Sequence, residues 1–206
     1  MRRSRGLGDV YKRQHVYRHV CSYFKENKIS IFLRPLQYKE IDLIWQHISR
    51  RELITQLYIQ KQDQLELIDC FYDVKNWDAY HLENDPPKLK ELYQQGASFV
   101  GAFNTAEQLV GISVVSNQHI GDYPAAKLLQ YFYVDANQQG QGIGAKLMQA
   151  AKESTKQLGV HQLYISATPS KRTVDFYMKY GAAVLKHPDR ELWELEPEDI
   201  HLLCML

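Results

Sequence analysis

The sequence has few cysteines, and their spacing excludes a disulfide framework and a cysteine-ligated metal centre. Cys21, Cys70 and Cys204 are the three cysteines among 206 residues. No two of them have the Cys-x-x-Cys spacing of a zinc or redox site. An odd number of widely separated cysteines is typical of reduced thiols. We therefore expect a cytoplasmic protein that contains no metal.

The sequence also lacks an excess of charge of either sign and any long apolar run. Its 25 Lys and Arg residues nearly balance its 24 Asp and Glu residues, for a net charge of +1. A protein that binds nucleic acid or an anionic membrane usually has a marked basic excess. No apolar run approaches the ~20 residues of a membrane span, and no signal-peptide core follows Met1. We expect neither nucleic-acid nor membrane partners.

The first fourteen residues are expected to be non-native. Residues 4–14 can be back-translated without mismatch into the transposon adapter of a common sequencing-library method. We therefore exclude residues 1–14 as an adapter-derived segment; a basic flexible tail is the alternative. Residues 15–28 are ambiguous between a frayed helix and further non-native sequence. The remainder, 29–206, is predicted to be one domain, because it has no repeat or linker.

Hydrophobic periodicity and turn signals predict alternating strands and helices along this domain. The predicted strands are 29–35, 57–59, 65–68, 98–104, 108–116, 127–134, 161–167, 182–185 and 200–205. The predicted helices are 36–48, 86–95, 143–158 and 170–180, the third of them following a glycine-rich stretch. The aromatic-rich segment 71–81 lacks periodicity and is predicted to be a loop. It either walls an acceptor pocket or is merely packed down by its aromatic side chains.

Three glycines lie between the strand 127–134 and the next helix, namely Gly140, Gly142 and Gly144. Glycine lets a ligand approach the bare backbone and permits dihedrals that other residues avoid. The start of a helix leaves several amide N–H groups unpaired at the positive end of its dipole. The stretch therefore predicts an anion site suited to a pyrophosphate, and a glycine-rich turn without a ligand is the alternative.

Two familiar phosphate loops fit this stretch poorly. A P-loop needs Gly-Lys-Ser/Thr, but Ala145 follows Gly144. A dinucleotide fingerprint matches Gly140, Gly142 and Ala145, but it also requires an acidic residue about twenty positions on. No acidic residue follows the next strand before Asp175, which disfavours a dinucleotide site.

A third pattern, Gln/Arg-x-x-Gly-x-Gly/Ala, is matched by Gln139-Gly-Gln-Gly-Ile-Gly144. This resembles the acyl-CoA loop of the GNAT superfamily of N-acetyltransferases. A second stretch, 170–181, reads Ser-Lys-Arg-Thr-Val-Asp-Phe-Tyr-Met-Lys-Tyr-Gly. The corresponding helix of the superfamily often reads Asn-x-x-Ala-x-x-Phe-Tyr-x-x-x-Gly-Phe, so Phe176, Tyr177 and Gly181 match. Ser170 replaces the Asn, which puts the Asn contact with pantetheine in doubt.

The resemblance covers 29–206 in element order and implies both a fold and an activity. The fold is α/β (α+β), with a mixed, mostly antiparallel sheet of about seven strands and helices on both faces. The strands 127–134 and 161–167 should run parallel and splay apart beyond Val134. The activity is transfer of an acetyl group from acetyl-CoA to a primary amine by direct attack. A sensor that binds acyl-CoA without turnover and a structural domain with a degenerate pocket remain alternatives.

The resemblance also implies the site residues. Tyr177 would protonate the departing coenzyme A thiolate, because a phenol with a pKa of about 10 can supply that proton; packing alone is the alternative. The implied acetyl-CoA-binding residues are Val134, Gln139, Gly140, Gln141, Gly142, Ile143, Gly144, Ala145 and Ser170. Lys171 and Arg172 could also reach a phosphate, although a solvated helix face is the favoured interpretation.

The general base and the acceptor are left open. Gln130, on the central strand, cannot accept a proton. The ionisable residues expected on loops near the pocket are Asp73, Asp78, His81 and His119. Each fits an ordinary surface role better, and a chain of water molecules would serve equally well. The acceptor is expected to be a small-molecule or peptide amine, and the protein a monomer or a homodimer.

Overall fold

The computed structural model describes residues 30–61 and 64–206. The adapter-derived segment, the extension 15–28, Cys21 and the first residue of the predicted strand 29–35 lie outside the described residues. A compact unit runs from Ile31 to Leu206.

The described residues form nine strands and five α-helices. The strands are β1 Phe32–Pro35, β2 Glu52–Lys61, β3 Gln64–Val74, β4 Ser98–Phe103, β5 Leu109–Val115, β6 Ala126–Val134, β7 Gln162–Ala167, β8 Ala182–Val184 and β9 Ile200–Met205. The helices are α1 Leu43–His47, α2 Ala79–Gln94, α3 Ile143–Gln157, α4 Lys171–Lys179 and α5 Arg190–Leu195.

Seven strands form one sheet in the order β1-β4-β5-β6-β7-β9-β8, and β2 and β3 pair separately as a hairpin. The β6–β7 pair is parallel and every other neighbouring pair of the large sheet is antiparallel. The parallel pair needs a crossover connection, which the glycine loop and α3 supply. The predicted fold class is confirmed.

The parallel pair splays much earlier than predicted. Only Ala126, Lys127 and Leu128 of β6 pair with β7, so the expectation of splaying beyond Val134 is wrong by six residues. The register of β6 against β5 shifts between Leu129 and Tyr131. Gln130 is therefore the extra residue of a β-bulge, which bends and twists a strand. The result is a wedge-shaped gap between β6 and β7 that begins near the middle of the sheet.

Helices cover both faces of the sheet, as predicted. On one face, α3 buries Ile143 and Leu147, and a Cβ added at Gly111 of β5 would lie only 2.8 Å from Cδ1 of Leu147. The close approach of α3 to the sheet therefore requires glycine at this position. On the other face, Ile44 of α1 and Leu89 of α2 pack in one cluster with the alternate side chains of β5.

The hairpin of β2 and β3 and the helix that follows it differ most from the sequence predictions. The segment 71–81 is not a loop, since β3 continues to Val74 and α2 begins at Ala79. The predicted helix start at Pro86 is wrong because Asp78 caps the helix earlier, accepting a 3.0 Å hydrogen bond from the backbone N–H of His81. Pro86 and Pro87 consequently lie inside α2.

Two further differences involve short helices. The predicted helix 36–48 is reduced to a 3-10 turn, Tyr38–Glu40, followed by the five-residue α1. The helix α5 was not predicted. Its start is fixed by Asp189, whose side chain accepts from the backbone N–H of Leu192 at 3.0 Å.

The buried face of α3 provides a test of this packing. Replacement of Leu147 by alanine should lower the free energy of unfolding by about 2–5 kcal/mol, because a fully buried leucine leaves a cavity between α3 and β5. The matched control is Leu195→Ala, since Leu195 is 73% exposed at the end of α5. Urea denaturation of both variants measures the effect. Equal losses of stability would contradict the assigned core.

Candidate functional site

The gap between β6 and β7 opens into a cavity of about 580 Å³. Its walls come from the second half of β6, the end of β7, the glycine loop with the start of α3, one face of α4, and the beginning of β2. Two sequence-predicted motifs, the glycine loop and the Phe-Tyr helix, therefore meet at one cavity although they are about thirty residues apart.

The glycine loop has the backbone geometry of an anion site. Gly140 has φ of +79° and Gly142, the N-cap of α3, has φ of +80°. A Cβ added at either position would meet nothing within 4 Å. Glycine is therefore required here by the left-handed backbone and not by crowding inside the protein. The open side of both residues leaves room for a ligand.

The amide groups of this loop are without protein partners. Within the described chain, none of the seven backbone N–H groups from Gln139 to Ala145 donates a hydrogen bond to a protein acceptor; the first paired amide is Lys146 N–H, which donates to the carbonyl of Gly142 at 3.2 Å. Unpaired amides at the start of a fifteen-residue helix lie at the positive end of its dipole. The loop fits a pyrophosphate by its own geometry.

The third glycine has a different role from the other two. A Cβ added at Gly144 would lie 3.1 Å from Cε2 of Phe176 in α4. Gly144 therefore lets α4 approach the first turn of α3, and the two motifs depend on each other through this contact. Substitution of Gly144 would displace the Phe176 ring.

The side chains around the loop divide between structural and ligand-facing roles. The Gln139 side chain donates to the carbonyl of Val134 at 3.3 Å and accepts from Arg172 at 2.6 Å. Gln141 donates to the side chain of Gln138 at 3.0 Å and does not line the cavity. Arg172, for which a solvated face was favoured, lines the cavity and brings a guanidinium to the loop. Lys171 instead pairs with Asp175 on the other side of α4.

Ser170 caps α4 and is almost completely buried. Its hydroxyl accepts from the backbone N–H of Thr173 at 3.3 Å and donates to the Thr173 hydroxyl at 2.9 Å. Thr173, and not Ser170, lines the cavity.

Every second backbone N–H group in the second half of β6 points into the gap. The N–H of Asp135 donates to the carbonyl of Val110 on the β5 side at 2.9 Å. Because backbone groups alternate sides along an antiparallel strand, the N–H groups of Phe132 and Val134 point away from β5 and into the gap. Strand β7 does not pair with this part of β6. Val134 is therefore placed to offer a hydrogen-bond donor in the gap.

Tyr177 projects from α4 to the centre of the site. Its side chain is 6% exposed and its ring lies edge-on to that of Phe132, with 5.9 Å between centroids. Burial raises the pKa of its phenol, and nearby Tyr133 and Asp199 raise it further. The group therefore stays protonated at neutral pH. Among the described residues its hydroxyl has no hydrogen-bond partner, so its proton is free for a ligand.

An aromatic cluster with one cation lies on the opposite face of β6. Tyr133 lies 4.8 Å from both Trp77 and Tyr131, measured between ring centroids. The guanidinium of Arg50 lies 5.4 Å from the Trp77 ring centroid and 6.0 Å from that of Tyr133. Tyr131 donates a 2.7 Å hydrogen bond to Asp85 of α2. These side chains, several of which line the cavity, form its second half.

None of the four ionisable residues proposed from the sequence lines the cavity. Asp73 pairs with Lys75, and His119 is exposed on the loop before β6. Asp78 and His81 act through Arg50: the His81 ring contacts Asp78 at 2.6 Å through Nδ1 and Arg50 at 2.7 Å through Nε2. The hydrogen bonds from His81 lower the pKa of Asp78. These hydrogen-bond contacts from Asp78 through His81 orient Arg50 over the aromatic cluster.

Sequence analysis missed several polar residues at the cavity, among them Arg50, Glu52 and Ser166. Arg50 and Glu52 begin the β2 side of the cavity, and Ser166 lies near the end of β7. Ser166 donates a 2.8 Å hydrogen bond to Asp199, which precedes β9. Burial raises the pKa of Asp199 to about 6. No local pattern distinguishes these residues, because only tertiary contacts bring the start of β2 and the end of β7 to the same cavity.

Other kinds of site are not found in the described part of the chain. No cluster of three His, Cys, Asp or Glu residues there could hold a metal ion. Cys70 and Cys204 are both free thiols. None of the helices described is long and apolar enough to cross a membrane.

The model of the acetyltransferase (GNAT) domain family matches residues 67–191, which is more than half of the chain. The chain belongs to the GNAT acetyltransferase family. As a member of this family, the protein is an acetyl-CoA-dependent acetyltransferase. The glycine loop described above lies within the matched residues. The comparison with curated protein sequences gives no match.

Solved structures confirm the GNAT fold at low sequence identity. A nourseothricin acetyltransferase has a TM-score of 0.60 at 13% identity, over 84% of this chain and 95% of that chain. The PaiA N-acetyltransferase of Thermoplasma acidophilum, solved with coenzyme A, has 0.58 at 14%, over 86% and 100%. A proposed streptothricin acetyltransferase from Bacillus anthracis str. Ames, solved with acetyl coenzyme A, has 0.57 at 15%, over 86% and 97%.

The amides of the glycine loop can be tested by one substitution. In Gly142→Asp, a carboxylate replaces the open space at the start of α3, so the affinity for acetyl-CoA measured by calorimetry should fall below detection. Gly159→Asp is the matched control, because Gly159 has a similar φ of +83° and nothing within 4 Å at the other end of α3. Unchanged affinity in Gly142→Asp, or an equal loss in both variants, would contradict a phosphate site at this loop.

Proposed function

We propose that this GNAT domain transfers the acetyl group of acetyl-CoA to a primary amine by direct attack within the β6–β7 gap. The observation that supports this most strongly is the run of seven unpaired amides beside a cavity that reaches Tyr177. A site for the pyrophosphate and a buried proton donor for the thiolate are the two parts that the reaction requires.

The proposed position of acetyl-CoA follows from the cavity walls. The pyrophosphate binds the amides from Gln139 to Ala145, with Arg172 beside it, and the pantetheine arm follows the free edge of β6. Each anion contact at a helix start is worth about 0.3–2 kcal/mol, so several together supply much of the affinity. The thioester then reaches the Val134 amide, which can hydrogen-bond the acetyl oxygen as negative charge develops on it.

The proposed acceptor is a cationic amine that enters from the aromatic face. Burial raises the pKa of the Tyr133 hydroxyl and the Arg50 guanidinium lowers it. Three carboxylates raise it further, those of Asp85, Asp199 and Glu52. Glu52 is paired with Arg172, but no ion pair among the described residues neutralises Asp85 or Asp199. These two carboxylates favour a positively charged acceptor, and the tyrosine and tryptophan rings offer faces for a cation. Both a small polyamine and the lysine side chain of a peptide have this chemistry.

The reaction steps use few protein groups. The deprotonated amine attacks the thioester carbonyl, and the carbon–sulfur bond breaks as coenzyme A leaves. Tyr177 gives its proton to the departing sulfur. The second proton of the attacking nitrogen then restores the Tyr177 phenol, so that the products are an amide and a neutral thiol.

A thiol-release assay tests the proposed function. Acetyl-CoA is mixed with the protein and with single amines from four groups: amino acids, polyamines, aminoglycosides and lysine peptides. We expect amine-dependent thiol release with at least one cationic amine, and the acetylated amine in the mass spectrum. Tight binding of acetyl-CoA without release in any group would support a sensor and overturn the proposed transferase reaction.

Replacement of Tyr177 by phenylalanine should lower kcat by about 10²–10⁴-fold, the usual contribution of a general acid. The ring packing against Phe132 is retained, so the acetyl-CoA affinity should change little. An interaction made mainly in the transition state lowers kcat and kcat/KM together. The matched control is Tyr180→Phe, the same change three residues later at the C-cap of α4, which should keep the parent activity. Full activity in Tyr177→Phe would leave Tyr177 a packing residue only.

A further inference from the structure

A carboxylate lies behind the wall of the cavity on the β7 side, joined to it by one serine. Asp199 accepts a 2.8 Å hydrogen bond through Oδ2 from Oγ of Ser166, and Ser166 lines the cavity. Side chains alternate along a strand, so Ser166 points to the face opposite Ile165 and Ala167, which belong to the core cluster that includes α3 and α4 residues. Ser166 and Asp199 therefore lie on the proposed acceptor side.

The surroundings of Asp199 raise the pKa of its carboxyl group towards neutral pH. Burial has the largest effect on its pKa, and the exposed carboxylates Glu196 and Glu198 on the same loop raise it further. The Ser166 hydrogen bond opposes them, and the pKa is raised to about 6. Asp199 is consequently a carboxylate at neutral pH and a neutral acid a little below it.

Asp199 interacts electrostatically with two tyrosine hydroxyls on other elements, one of which is that of Tyr177. Burial raises the pKa values of Tyr133 of β6 and Tyr177 of α4, and Asp199 raises both further. From β2, Glu52 influences the same Tyr133 hydroxyl, but Glu52 is paired with Arg172 at 3.3 Å. Asp199 thus lies within electrostatic range of the phenol proposed to protonate the thiolate, with a neutral hydroxyl as its partner.

We propose that Asp199 receives the proton that the acceptor ammonium loses before attack, and that the Ser166 hydroxyl relays it. The proposal rests on the amine acetylation proposed above. An N–H bond of the ammonium breaks, Oγ of Ser166 takes that proton, and the original Ser166 proton passes to Oδ2 of Asp199. The freed electron pair on nitrogen attacks the thioester. Asp199 later gives its proton to water, so the overall reaction releases one proton, as acetylation of an ammonium requires.

The test is the pH dependence of kcat/KM for the best amine of the screen, measured between about pH 5 and 9. The parent should lose activity as the pH falls through about 6, because protonated Asp199 cannot accept a proton. Asp199→Asn should be about 10²–10⁴-fold slower at neutral pH and lack this acidic limb. Its deficit should shrink as the pH rises, because free amine then needs no base. Calorimetry should give parent affinity for acetyl-CoA.

Three further variants separate a proton acceptor from a structural residue. Glu196→Gln removes a neighbouring negative charge, so the acidic limb should move to lower pH while the plateau stays at the parent level. Ser166→Ala removes the hydrogen bond that stabilises the carboxylate, so activity should fall and the limb should move to higher pH. Asp85→Asn should retain the limb, because Asp85 is a carboxylate bonded to a different cavity hydroxyl, that of Tyr131.

The outcomes that overturn the assignment are distinct. An acidic limb that persists unchanged in Asp199→Asn, or a loss of activity that is equal at every pH, would exclude Asp199 as the proton acceptor. If Asp199→Asn fails to fold, an unmoved limb in both Glu196→Gln and Ser166→Ala would exclude it as well. A parent protein that acetylates no amine would overturn the proposed function and this assignment together.

Discussion

The pairing of β6 with β7 stops after three residues, and the functional cavity depends on this interruption. Two parallel strands that stayed paired would fill the sheet and leave no path between its faces. The extra residue at Gln130 is taken up on the β5 side, so β6 bends while its hydrogen bonds to β5 are kept. The free edge of β6 then faces the gap with alternate backbone amides, which a continuous sheet would have used internally.

The two motifs beside the gap are coupled through a contact between helices. Gly144 in the first turn of α3 leaves room for Phe176 of α4, and the next residue of α4 is Tyr177. The position of the proposed acid is therefore set by the helix that contains the proposed phosphate site. The β2–β3 hairpin holds α4 from the other side, since the Tyr58 backbone donates to the carbonyl of Pro169 at 2.8 Å and its hydroxyl donates to Asp175 at 2.8 Å.

Local patterns in the sequence predicted the parts of the site that are continuous in the chain. The last strand, β9, and the start of α3 were predicted at the residues where they lie, because their apolar periodicity and glycines are local signals. Residues brought together by strand order were not predictable in this way. Asp199 and Ser166 are thirty-three residues apart, and only the insertion of β9 beside β7 joins them. Arg50 reaches the site through His81, again by tertiary contact.

The wrong prediction of where α2 begins has a different physical cause. Proline suits the first turn of a helix, which favours a start at Pro86, but the N-cap at Asp78 starts α2 at Ala79, and Leu89 and Leu92 beyond the prolines are buried. Tertiary packing here outweighs the cost of proline inside the helix. The same segment supplies Trp77 and His81 to the aromatic cluster around Tyr133, although none of its residues lines the cavity.

The most direct test of the account is the NMR response of the backbone amides to coenzyme A and to pantetheine, which lacks the pyrophosphate. The seven amides from Gln139 to Ala145 should show the largest shifts with coenzyme A and only small shifts with pantetheine, because they bind the anion. The amides of Phe132 and Val134 should shift with both ligands. Largest coenzyme A shifts outside the glycine loop, or equal loop shifts with both ligands, would contradict the proposed site.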